Sequence, residues 1–247
     1  RRMEVDVRVT FPSGLMSEWY PECAELLPAG PAAAEIAGGA LRWKVDVDPD
    51  LDPTLAPAVA ADNIWAPSRR VKVPSLRNLA VRPGVDRPVG EVERFLFYRG
   101  VGRFELPVEV QATDTNLTVT NHAQRQVEAA FLLVVDGDKA GFAALGAVAG
   151  KTPQTVALPA PDRPLSDIIA EARGALIGAL DASGLYHDES VALVDTWKDS
   201  YFKTQGARVL YVLPQAWTDA LLPLTVKPKP DKIVRTGLVQ VTQGKEA

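Results

Sequence analysis

Side chains able to move protons, hold cations or attack a carbonyl are few in this sequence, and their spacing limits what each could do. Histidine, the ring that titrates near neutrality, occurs twice, at His122 and His187. His122 falls in the turn signal Asn121-His122-Ala123, and His187 opens a helical pattern beside Asp188 and Glu189. Both positions suit an exposed capping role as well as acid–base work. The Gly-x-Ser-x-Gly elbow that presents a serine nucleophile on a strand–turn–helix is missing. A catalytic zinc, usually built on two or three histidines, is disfavoured by the same count. Cys23 is the single cysteine, which excludes an internal disulfide or a CxxC metal knuckle. It is expected to be a buried free thiol, the usual fate of cysteine.

Carboxylates are more suggestive. Asp46, Asp48, Asp50 and Asp52 stand at alternate positions, and hard oxygen ligands this dense could hold calcium. An EF-hand loop counted from Asp46 would need Gly and Glu where Leu51 and Pro57 stand. A calcium ion here would stiffen the proline-rich stretch that follows; without one, the run reads as a solvated loop. Asp195 and Asp199 lie one helical turn apart, the spacing of either a carboxylate pair for glycoside hydrolysis or a solvated face. Gly100-Val101-Gly102, flanked by Arg99 and Arg103, could cradle an anion with backbone N–H groups, and hairpin geometry explains the same glycines. The dinucleotide fingerprint fails, because Glu105 occupies the third glycine's place and no helix pattern follows. Trp19, Tyr20, Trp65, Tyr98, Phe202 and Trp217 sit near turns or element ends. Rings so placed serve interfaces or cores. The binding set read from these signals is Trp19, Trp65, Arg99, Gly100, Gly102 and Arg103.

The elements that would position these groups are mostly strands. Residues 3–11 alternate Met3, Val5, Val7, Val9, Phe11 against polar neighbours, which predicts a strand with one dry face. Leu41, Trp43, Val45 and Val47 repeat the pattern. Residues 49–69 hold Pro49, Pro53, Pro57 and Pro67, which cannot continue a ladder or a helix interior. Because Ile64 and Trp65 within it want burial, the stretch reads as an ordered surface excursion. Glu93 to Arg99 predicts a strand, as do Leu106–Val110, Leu117–Thr120 and Gln154–Leu158. Val127–Val135 is nearly all apolar, as a strand covered on both faces would be, and Asp136-Gly137-Asp138 turns it back into Phe142–Leu145. Leu165, Ile168, Ile169, Ala172, Leu176 and Leu180 predict a helix capped by Ser166 or Asp167 and stopped by Gly184. Asp188 opens a second helix, ended by Gly206. A strand over Arg208–Leu213, a helical turn over Gln215–Leu222 and a strand over Ile233–Val241 complete the chain.

The expected architecture is α+β and mainly β: an antiparallel β-sandwich over 1–160, with an α/β part over 161–247 packed on it as one continuous unit. At 247 residues, 47% hydrophobic and 23% charged, the composition is that of a globular protein. No apolar run reaches the roughly 20 residues of a membrane-spanning helix. A net charge of −4 argues against a general nucleic-acid partner. The chain opens Arg1-Arg2-Met3-Glu4 with no signal-peptide pattern, as a processed chain also would.

The string Glu93-Arg94-Phe95-Leu96-Phe97-Tyr98-Arg99-Gly100-Val101-Gly102-Arg103-Phe104 resembles the core of an uncharacterised family of exported proteins from myxobacteria, planctomycetes and similar bacteria. Thr10–Pro21, Ala192–Trp197 and Gly206–Leu224 are similar to it too. The resemblance implies a periplasmic or cell-surface location and brings no activity, cofactor or catalytic residue. Together with the scarcity of catalytic side chains, it leads to the expectation of a non-catalytic structural or protein-interaction component of the cell envelope, with a protein partner or self-assembly. A small-molecule or glycan-binding protein, or a hydrolase working with carboxylates alone, is the alternative.

Overall fold

A computed structural model describes residues 1–28, 36–81 and 90–242. In chain order the first elements are β1 (Met3–Phe11), β2 (Gly14–Tyr20), β3 (Glu25–Leu27), β4 (Gly39–Asp48), α1 (Ala66–Arg69), β5 (Ser75–Asn78), β6 (Val92–Glu93) and β7 (Phe97–Gly102). They are followed by β8 (Val108–Ala112), β9 (Asn116–Asn121), β10 (Val127–Asp136), β11 (Lys139–Val148), β12 (Pro153–Ala157), β13 (Arg163–Pro164), α2 (Leu165–Ala182) and α3 (His187–Phe202). Last come β14 (Gly206–Leu213), α4 (Gln215–Leu221), β15 (Leu224–Lys227) and β16 (Gly237–Thr242). The chain is α+β and mainly β, with antiparallel pairing throughout its named strands. It forms two compact units, Arg1–Phe104 with Ala216–Ile233 and Glu105–Gln215 with Val234–Ala247.

The first unit is organised by β1 and β4, which pair from Met3↔Val47 to Phe11↔Gly39. That register sets Val5 opposite Val45 and Val9 opposite Leu41, so the two dry faces predicted from alternation become one. Around them the sheet runs β15-β1-β4-β5-β6, with β3 also on β4. Val5, Val9, Phe11, Met16, Leu41, Trp43, Val45 and Leu76 form the core. Trp43 is fully buried and satisfies its indole by donating Nε1–H to the Pro21 carbonyl at 3.0 Å. Met3, the first residue of the alternating run, is exposed.

In the second unit the sheet runs β13-β11-β10-β14-β16. Phe131, Leu133 and Val135 of β10, with Leu210 and Val212 of β14, pack with Ile168, Ala172, Leu176 and Leu180 of α2 and Val194 and Phe202 of α3. The alternate residues Leu132, Val209 and Tyr211 are equally buried, which is why Val127–Val135 reads as one continuous apolar run. A separate three-stranded sheet, β12-β9-β8, completes this unit.

Several expectations change. The division does not fall at 160: β10 and β11 share a sheet with β14, from beyond that point, and β15 returns to pair with β1. The strand expected over Glu93–Arg99 is broken, with β6 ending at Glu93 and β7 starting at Phe97. Gly100 and Gly102 lie inside β7 rather than in a hairpin, and β7 pairs with β2. The start of α2 is at Leu165, preceded by Pro164, and Ser166 and Asp167 do not cap it. The Gly184 stop holds, with φ 105°. Gly206, at φ 93°, begins β14, while α3 ends earlier at Phe202. The last strand starts at Gly237 rather than Ile233.

Candidate functional site

The proline-rich excursion is fastened residue by residue. After β4 ends at Asp48, its Oδ1 accepts the Asp50 N–H at 3.0 Å. Asp52 Oδ1 accepts both the Thr54 N–H (2.9 Å) and its hydroxyl (2.8 Å), capping a single 3₁₀ turn over Pro53–Leu55. These local bonds replace the ladder that the prolines forbid. Further on, Asn63 Oδ1 accepts the Trp65 N–H at 2.9 Å and leads the chain into α1. Trp65 then stacks on Phe95 (5.4 Å between centroids, 16° between planes), meets the edge of Phe97 at 4.7 Å, and touches Tyr20 at 5.4 Å.

Beside this aromatic cluster lies an ion pair. Glu93 is fully buried and Arg69 is 13% exposed in its side chain. Arg69 grips Glu93 through Nε (3.0 Å to Oε2) and through Nη2 to Oε1, a side-on, two-bond geometry. Its Nη1 donates to the Pro57 carbonyl at 2.6 Å, tying the far side of the excursion to the same guanidinium. Arg94 donates Nη1–H to the carbonyls of Arg69 (3.1 Å) and Val71 (3.0 Å). This use of Glu93 and Arg94 explains the break between β6 and β7. Glu91 Oε2 accepts the Glu22 N–H and the Asn78 amide at 2.9 and 2.8 Å. The Tyr20 hydroxyl is pushed up to about 12, by burial first and then by the negative charge of Glu93. The Glu93 carboxylate raises the Arg69 guanidinium further above its ordinary range.

What this fastening presents outward is apolar. Leu55, Val59 and Ile64 are exposed along the excursion. A cavity of about 290 Å³ opens there, lined by Pro53, Thr54, Pro57, Val59, Arg69 and Arg94 among others. A connection of this length with so little regular structure is uncommon unless it functions, and a loop already held in place loses less entropy on binding.

Of the residues singled out in the sequence, Trp65 belongs to this cluster. Trp19 and Arg99 instead lie on the β2–β7 ladder, where Trp19 is in register with Tyr98 and Arg99 is 3.3 Å from Glu18. The Arg103 N–H donates to the Ser13 carbonyl. Gly100 and Gly102 have a steric reason: a Cβ would approach the Phe11 ring to 2.9 and 2.5 Å. Asp46 is nearly buried and paired with Arg2 at 2.5 Å, while Asp48 and Asp52 serve backbone turns. Among the described residues, no three His, Cys, Asp or Glu side chains gather as a metal site would require. Asp195 joins Arg173 at 2.8 Å and Asp199 joins Lys203 at 2.7 Å, so the two aspartates serve different partners. His122 and His187 are exposed and sit 2.8 and 2.9 Å from Glu109 and Asp181. Cys23 is half-buried, and burial pushes its thiol up, away from nucleophilic character.

Sequence reasoning noted Tyr20 among the aromatic rings near turns but passed over Arg69, Glu93 and Arg94 as site residues. The available signal was the adjacency of Glu93-Arg94 with Phe95 and Phe97, but its partners lie 23 and more residues away in sequence. The second unit holds a larger cavity, about 560 Å³, lined by Glu128, Ser183, Val212, Gln215, Arg235 and Thr236 among others. The Thr236 hydroxyl is buried there without a partner among the described residues. Compared with known proteins, the chain matches no family description, no curated protein and no solved structure.

Proposed function

We propose that this protein is a non-catalytic interaction or structural component of the bacterial cell envelope, located in the periplasm or at the cell surface. The excursion over residues 49–69 is its contact surface. The observation that carries this reading is the pairing of a rigid fastening with an apolar display: Trp65 and the Arg69–Glu93 pair hold the segment while Leu55, Val59 and Ile64 face outward. The location rests on the resemblance of the Glu93–Phe104 string to exported proteins. The partner is a protein or a second copy of this chain, and a net charge of −4 does not favour nucleic acid.

Native mass spectrometry of the protein isolated from its source tests the reading. A complex for the natural chain and a bare monomer for the folded Leu55→Glu/Val59→Glu variant are expected. A bare monomer for the natural chain would sink it. Spectra taken with and without EDTA test the calcium reading of Asp46, Asp48, Asp50 and Asp52 at the same time. A second reading, small-molecule or glycan binding, is favoured by the unpartnered Thr236 hydroxyl at the 560 Å³ cavity, whose size suits a ligand pocket. A metabolite and glycan screen by thermal shift, repeated on Ala182→Trp to fill the cavity, tests that reading: a hit lost in the variant supports it.

A further inference from the structure

We infer that the 290 Å³ cavity under the excursion binds an apolar monocarboxylate, with Arg94 as its cationic partner. The inference rests on the reading of the excursion as a contact surface and names the chemistry that surface takes. Other arginines in the molecule show how carboxylates are held here. Arg42 with Asp6, Arg69 with Glu93 and Arg173 with Asp195 each use the Nε and Nη2 groups of one guanidinium edge.

Arg94 is different. Its Nη1 is fixed on two backbone carbonyls, and its Nε is sealed from water without an acceptor. No carboxylate pairs with it among the described residues. A guanidinium keeps its charge at any physiological pH, and Arg94 is part-buried, with its Nε shielded from water. The two carbonyls hold the group in position and supply only partial negative charge. Arg69 lines the same cavity, but its charge is already matched by Glu93. That leaves the Nη2 end of Arg94 to meet an anion.

The walls define the rest of the ligand. Pro53, Ala56, Pro57, Ala58 and Val59 offer rings and methyl groups, and the Thr54 hydroxyl is committed to Asp52. The Asp52 carboxylate, next in the chain to the wall residue Pro53, disfavours a dianion. One open guanidinium end is also a poor match for a phosphate, which draws several donors. The volume accommodates roughly ten water-sized groups, enough for a branched aliphatic acid or the last residue of a polypeptide with its terminal carboxylate.

The test is calorimetric titration of the whole protein with three probes: 4-methylpentanoate, a hexapeptide ending in leucine with a free carboxylate, and the same peptide as its C-terminal amide. The acid forms are expected to bind, with the amide at least tenfold weaker. Arg94→Gln removes the difference between acid and amide, and Arg94→Lys restores part of it. Ala58→Phe, which leaves both arginines in place, abolishes binding by filling the cavity. Tighter binding of the peptide acid than of 4-methylpentanoate assigns a polypeptide terminus, and the reverse assigns a free acid. Equal affinity for acid and amide, binding unchanged in Ala58→Phe, or no binding by any probe overturns the inference. If Leu55→Glu/Val59→Glu still strips a partner when no carboxylate binds, the contact-surface reading stands and only this inference falls.

Discussion

Arg69 in the first unit and Arg208 in the second are both removed from water, and the two surroundings treat the charge differently. Arg69 meets a fully buried carboxylate, Glu93, and together they fasten a chain segment that has almost no regular structure of its own. Arg208, fully buried on β14, meets no carboxylate among the described residues; its Nη1 donates to the Tyr201 carbonyl at 2.9 Å and its Nη2 to the Gly206 carbonyl at 3.2 Å. Tyr201 lies in the last turn of α3, where unpaired carbonyls give the helix end a partial negative charge. Burial lowers the Arg208 pKa accordingly. A helix end can therefore hold a cation with partial charges, whereas a proline-rich segment, lacking an aligned dipole, is held by a full countercharge. The first arrangement is part of a packed sheet and helix layer; the second leaves the outward face of the excursion for other contacts.

The sharpest way to break this comparison is to remove one side of the first pair. Glu93→Ala should destabilise the first unit by about 3–5 kcal/mol, because Arg69 is left buried without its countercharge. Hydrogen exchange should rise over residues 63–71 well before it rises over β10 and β14. If it rises equally in both, the pair does not fasten the excursion locally. Arg208→Met should cost less, about 1–3 kcal/mol, since the carbonyls it leaves behind are neutral groups rather than a stranded ion. Denaturant melts of the two variants side by side decide the order, and an Arg208→Met loss as large as that of Glu93→Ala would overturn it.

Alkaline pH sharpens the comparison with a smaller effect. Tyr20 is pushed up to about 12, while Tyr201 and Tyr211 in the second unit are raised further by burial. An unfolded tyrosine titrates near 10. The proton held by the folded state thus contributes stability that is full below about pH 10 and is lost as pH rises through the folded value. Near-ultraviolet circular dichroism between pH 9 and 12 should show falling stability above about pH 10. Tyr20→Phe should remove the contribution of the first unit alone. At the bottom of the scale, Asp199→Asn, which breaks a pair exposed on both sides, should leave thermal stability unchanged within error.

Much of the fold was legible because periodicity is local. The alternation in residues 3–11 and 41–47 identified β1 and β4, and Asp136-Gly137-Asp138 identified the β10–β11 hairpin, with Gly137 at φ 59°. The stripe from Leu165 to Leu180 identified α2. Shorter elements escaped: β15 has only four residues, and nothing in Leu224–Lys227 announces that its partner is β1, more than 200 residues earlier. The excursion was read correctly as ordered on the strength of Ile64 and Trp65, although Ile64 proved exposed and Trp65 alone turned inward to the stack.

By itself the amino-acid sequence determined most of the longer strands and helices, because side-chain spacing sets which face of a backbone element is apolar. It also determined that histidine occurs only twice and cysteine once. Only the tertiary structure decided that Glu93 belongs to Arg69, that one end of the Arg94 guanidinium has no partner among the described residues, and that Asp195 and Asp199 serve separate partners. The physical reason is range: an ion pair or an aromatic stack acts over a few ångströms in space, and no spacing along the chain records which distant residues the fold will bring within that distance.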